Sequence, residues 1–195
     1  MPANNAPVTA SPTVDLDSEA SLRIDCYVRS TVPPTVTGTI NDVVDRLQRL
    51  AEAGRIDSYR TTHWPPACHT VEPTPTADAR PETRADLVGE FERWAARHGH
   101  SLEPAFRRRE IQQTPFGLGC DEPREQLRVP FVSLAIYETD DETADETLRG
   151  VLPYTEQPQT GDERTYTVDD WLSTVEPTAT RRLSAEQPTR LESHQ

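Results

Sequence analysis

Three consecutive stretches decide the fold: LRIDCYV (Leu22–Val28), VTGTINDVVDRLQRLAEAG (Val36–Gly54) and IDSYRTTHW (Ile56–Trp64). In the first, Leu22, Ile24, Cys26 and Val28 alternate with Arg23, Asp25, Tyr27 and Arg29, the period of two of a half-buried strand. Pro33-Pro34 ends it, because proline cannot donate to a ladder. In the second, Ile40, Val43, Val44, Leu47 and Leu50 recur at spacings of three and four, which is one apolar stripe of a helix. Thr37 or Thr39 is its expected N-cap, and Gly54 stands where a left-handed C-terminal residue belongs. The third returns to β-formers (Tyr59, Thr61, Thr62, Trp64). Together they predict a strand–helix–strand unit over residues 22–64.

The pattern extends outward from this unit. Pro65–Pro81 contains five prolines and reads as a loop. A second helix is predicted over Glu82–His98, with Leu87, Phe91, Trp94 and His98 on its apolar stripe and Gly99 as its stop. Leu102–Ile111 reads as a strand beginning at an edge, since Pro104 lies near its start, and Thr114–Pro123 as a turn-rich link. LRVPFVSLAIY (Leu127–Tyr137) is the most apolar run and predicts a central strand with Pro130 at a bulge. Glu138–Thr147 reads as a solvated acidic loop, Leu148–Tyr154 as a short strand, and Thr167–Val175 as a helix capped by Thr167 with Asp169 and Asp170 in its first turn.

This order predicts an α+β protein: a two-layer sandwich with a ferredoxin-like, mainly antiparallel sheet and two helices on one face. The expected organisation is a disordered leader over residues 1–21, one domain over 22–175 and a disordered tail over 176–195.

All 20 basic residues are arginine, there is no lysine, and 33 acids bring the net charge to −13. An acidic, lysine-free surface suits a cytoplasm rich in salt, where the Debye length falls to about 3 Å at 1 M and self-repulsion is screened. A halophilic cytoplasmic protein is therefore expected. Residues 1–21 lack the basic and apolar regions of a secretion signal, and no apolar run reaches the roughly 20 residues of a membrane span. Three cysteines (Cys26, Cys68, Cys120) make no paired framework, as expected in a reducing compartment.

The sequence lacks GxSxG, GxxxxGK[ST], HExxH and GxGxxG, and without lysine neither a phosphate-loop lysine nor a Schiff base can form. The expectation is a non-enzymatic protein with no cofactor. No metal site is expected either. Cys68-His69 is the only close pair among the cysteines and His63 and His69, and adjacent residues chelate one ion poorly. The binding candidates are Arg46 and Arg49 on the first helix, Arg107 and Arg109 on one side of a strand, and Trp64 at a strand end beside Pro65-Pro66. The guanidinium fork suits phosphate. Two readings stand for the arginines: an anion or nucleic-acid patch, or a solvated face paired with the neighbouring acids.

The stretch VVDRLQRLAEAGRIDSYRTTHW (Val43–Trp64) resembles the end of a winged helix-turn-helix, where a helix reading RLxxLxxxGxI leads into a wing strand. With YVRS near Tyr27 and EFERWAARHGHSLEPAF (Glu90–Phe106), the chain is similar over residues 22–175 to an uncharacterised haloarchaeal family known as helix-turn-helix domain proteins. The resemblance implies a DNA-binding regulator. A winged motif also needs a helix pair before its recognition helix, and here a strand is predicted there. The residues themselves favour a regulatory domain that binds a ligand or partner. The expected partners are a second copy of the chain, forming a homodimer, and DNA or another protein; no membrane is expected.

Overall fold

The computed structural model describes residues 21–67, 83–111, 124–139, 145–156 and 163–176. The predicted leader up to residue 20, the tail beyond Glu176, most of the Pro65–Pro81 loop and the Thr114–Pro123 link fall outside them.

The strand–helix–strand unit is present as β1 (Ser21–Val28), α1 (Pro34–Glu52) and β2 (Ser58–His63). Pro34 opens α1, where its fixed φ suits the first turn, and neither Thr37 nor Thr39 caps it. At the other end Gly54 takes φ 66°, while the Gly54 and Arg55 amides donate to the Ala51 and Leu50 carbonyls. That is a Schellman closure, which glycine permits without a Cβ clash. α2 (Arg84–His98) begins at Thr83 with a Thr83/Asp86 capping box and ends at Gly99, φ 70°. α3 (Val168–Val175) begins with the same device, Thr167/Asp170.

Proline divides the strands more finely than the hydrophobic pattern predicts. The strand expected over Leu102–Ile111 shortens to β4 (Arg107–Ile111) beyond Pro104, and a separate two-residue strand, β3 (His100–Ser101), precedes it. The long apolar run breaks at Val129-Pro130-Phe131 into β5 (Arg124–Arg128) and β6 (Val132–Thr139), because proline has no N–H for the ladder. Pro153 likewise separates β7 (Glu146–Leu152) from β8 (Tyr154–Glu156), and β9 (Arg164–Tyr166) precedes α3.

The class is α+β. The main sheet runs β2-β1-β6-β7, with β1 and β2 adjacent and parallel and the other pairs antiparallel. This differs from a ferredoxin-like sheet, in which another strand splits the parallel pair. Two smaller ladders, β3-β8-β9 and β4-β5, flank it.

Helices on a single face also give way to cover on both. Leu22, Ile24, Cys26, Leu134 and Ile136 are buried on one side of the sheet, but so are Asp25, Tyr27, Ala135 and Tyr137 on the other. α2 covers the second side, with Phe91 6.0 Å from Tyr27 between ring centroids. That leaves α1 and α3, which are joined through Arg46, for the first. A strand buried on both faces explains why the polar half of β1's alternation is internal. Asp25 is 1% exposed and accepts from Arg60, with Arg23 3.5 Å away. Burial, and then the nearby Asp25 charge, push the Tyr27 hydroxyl up to about 12.

Candidate nucleic-acid interface

The positions predicted for binding separate in space. Arg46 is 7% exposed and turned into the seam between α1 and α3. Its Nε donates to Glu176 Oε1 at 2.9 Å, its Nη2 to Ser173 Oγ at 3.0 Å, and its Nη1 to Asp169. Every arm of the fork is engaged, so this arginine clasps two helices and offers nothing to an external anion. Arg49, one turn on, is exposed and reaches Glu176 at 3.4 Å. The outer side of α1 otherwise carries Asp42, Asp45 and Glu52, a negative surface that repels a phosphate backbone.

Trp64 is 6% exposed, not open at a strand end. It stacks on Tyr27 at 5.1 Å and meets Phe91 and Phe106 edge-on. It is a core residue of the α2 side, where the two prolines that follow it carry the chain away instead of exposing the ring.

Arg107 and Arg109 have the opposite fate. Both are exposed on β4, which pairs antiparallel with β5 as a two-stranded ribbon. The register sets Arg107 opposite Arg128 and Arg109 opposite Gln126, so these four share one side. Arg108 and Leu127 share the other. There Leu127 packs on the core, and Arg108 forms a bidentate pair with Glu92 of α2, at 3.0 and 2.9 Å. This pair anchors the ribbon to the helix that precedes it in the chain. Like charges directly opposite one another destabilise a ladder. No acid among the described residues pairs with Arg107, Arg109 or Arg128; the Arg107 Nε donates to the Pro104 carbonyl, at 3.0 Å.

Two features escaped the sequence reading. In the sequence Arg128 lies within one apolar run, Leu127–Tyr137, and only the break at Pro130 sets it opposite Arg107. Arg93 and Arg97, exposed on the outer side of α2, are a like-charged pair at i, i+4 whose Nε groups donate to helix carbonyls. Their i, i+4 spacing is the signal that the sequence carries for them.

Of the metal candidates, Cys26 is fully buried and burial lifts its thiol to about 12, while His69, Cys68 and Cys120 lie outside the described residues. Among the described residues no group of three His, Cys, Asp or Glu side chains could hold a metal ion. Nor is any helix among them long and apolar enough to cross a membrane. Behind the ribbon a cavity of about 300 Å³ opens between α2 and the β3–β4 turn, lined by Glu92, His100, Ser101, Leu102, Phe106 and Arg108.

A family model described as a helix-turn-helix domain matches residues 16–180. No curated protein matches the chain, and no solved structure does.

Proposed function

The chain belongs to that helix-turn-helix domain family, and on this premise we propose that it is a DNA-binding regulator that holds the duplex with its β4–β5 ribbon. The observation that carries this reading is the opposed arginine pair Arg107/Arg128, with Arg109 beside it, on one exposed side of the ribbon. A −13 protein that faces arginine against arginine spends ladder stability on a positive surface. The major groove admits a two-stranded ribbon, and arginine binds both phosphate and the guanine edge bidentately. The order of α2, then the ribbon anchored to it through Arg108 and Glu92, supports a helix-and-wing unit. α1 is a poor reading helix, because β1 and not a helix leads into it and its outer side is acidic.

The role needs no chemistry on a substrate and no cofactor. The proposal places the protein in a salt-rich cytoplasm and includes a homodimer, for which the edge strand β2 offers a side unpaired among the described residues.

The test is fluorescence anisotropy on duplex fragments drawn from a genomic pool, titrated across potassium chloride. Changing Arg109 and Arg128 to Gln should weaken binding at least about tenfold and make the log–log salt slope shallower by about 2, one unit per lost phosphate contact. Arg49→Gln should leave both unchanged. Unaltered affinity and slope in the ribbon variant would overturn the assignment, and loss in Arg49→Gln alone would return DNA contact to α1.

A further inference from the structure

A second arginine pair lies away from the ribbon, at the carboxyl ends of the parallel strands β1 and β2. Arg29 directly follows β1, and its amide donates to the Phe131 carbonyl at 3.0 Å. Next door, the Trp64 amide donates to the Val28 carbonyl, which brings the end of β2 alongside. The chain then turns through Pro65 and Pro66, whose carbonyls accept from the Arg84 Nε (3.2 Å) and the Arg84 amide (2.9 Å) respectively. Arg84 is the first residue of α2. Both arginines are half-buried, and neither has an acidic partner among the described residues. Burial, and then the charge on Arg29, pull the Arg84 guanidinium below its ordinary range. Two like charges partly withdrawn from water cost stability unless an anion joins them.

The same place holds Phe131, the exposed large apolar side chain among the described residues, at 36%. The Arg29 guanidinium lies over its ring at 5.0 Å, a stacking that fixes the plane of the fork and the direction of its donors. Asp86, the nearest acid along α2, is occupied in capping Thr83. Parallel strands set their ligands in the crevice outside their carboxyl ends, since the following helices begin there; α1 starts five residues beyond Arg29 with no acid in its first turn and no side-chain cap.

We infer that Arg29 and Arg84 form a phosphate-binding pair, and that with Phe131 they take a small phosphorylated ligand bearing a flat ring, a mononucleotide. The phosphate bridges the two guanidinium groups and the ring lies against the Phe131 edge of the site. This site is separate from the ribbon, and its occupancy by a soluble metabolite would give the regulator a signal to report.

Calorimetric titration of the full chain with adenosine monophosphate and with inorganic phosphate, both without DNA, tests it. Adenosine monophosphate should bind wild type, and Arg29→Gln and Arg84→Gln should each weaken it about tenfold or more, the loss of one charge-assisted contact. Arg29→Lys and Arg84→Lys keep the charge and should retain part of the affinity; they carry the comparison if a glutamine variant melts early. Phe131→Ala should weaken the nucleotide and leave inorganic phosphate unchanged. Wild type binding neither probe, or arginine variants binding as wild type does, would overturn the site. If the nucleotide binds no better than inorganic phosphate, the ring-bearing ligand is excluded. Duplex affinity measured in parallel separates the two sources of phosphate: loss of duplex binding in Arg29→Gln, with no nucleotide bound by wild type, would assign the pair to DNA and overturn the proposal.

Discussion

Single arginines in this protein take opposite parts, and burial decides which. Arg46 and Arg109 belong to similar local sequences, each near acids and other arginines, yet one is locked between helices and the other is exposed. Burial works against the Arg46 charge, but its bonds to Glu176 and Asp169 more than offset this and hold its guanidinium above its ordinary range. Arg46→Ala should lower unfolding stability by about 1–2 kcal/mol in urea, less than a fully buried pair would, because Asp169 is largely exposed. An unchanged urea midpoint would show that the clasp contributes nothing. Asp25 is the deeper case. Removing it by Asp25→Ala strands Arg60 and Arg23 beside the core, and should cost about 3 kcal/mol, read as a lower midpoint at unchanged slope.

At the scale of elements, the starts of α2 and α3 are built alike and should fail alike. Thr83→Ala and Thr167→Ala each remove the acceptor of a capping box and should each cost about 1 kcal/mol. The two sites lie on different helices, so the double variant should be additive within about 0.5 kcal/mol. Thermal melts of the three variants check this, and a double-variant loss well short of the sum would show that α2 and α3 unfold as a coupled pair. Gly99→Ala tests the C-terminal end of α2: a Cβ at φ 70° meets no neighbouring atom, so any loss is backbone strain alone, about 1 kcal/mol.

The whole molecule couples these elements to pH and salt. His100 sits in a ladder of rings with Trp94, His98 and Tyr154, and burial holds its imidazole below the usual histidine range, with Glu156 opposing and His98 adding to the shift. A histidine depressed in the folded state binds its proton more readily when unfolded. Its contribution is therefore present above the ordinary value near 6.5 and is lost as pH falls below it. The melting temperature should drop from pH 7 to pH 5, and His100→Gln should flatten that drop; an identical slope in the variant would move the effect elsewhere. The charge of −13 makes a second global prediction. Raising potassium chloride from 0.1 to 2 M should raise the melting temperature, since screening shortens to about 3 Å by 1 M and relieves repulsion among the acids. A flat response would remove the halophilic reading.

Much of the architecture was legible in order along the chain. Periodicity located β1, α1 and α2, because each buries a stripe whose spacing is set by backbone geometry; β-forming residues located β2, Thr167 with the acids after it located α3, and Gly54 and Gly99 placed the ends of α1 and α2. The α+β class followed from that. The layers and the candidate sites did not. Whether the polar row Arg23, Asp25, Tyr27 meets water depends on α2, which arrives from twenty residues beyond β2, and no local pattern encodes its side of the sheet. Arg128 faces Arg107 only through the register of a ladder that Pro130 frees from the following strand. Arg29 meets Arg84 only because β1 and β2 end together. Sequence determines which segments bury a stripe and where backbone hydrogen bonding must stop; long-range pairing alone decides which charges become neighbours, since charge position along the chain carries no distance across a sheet.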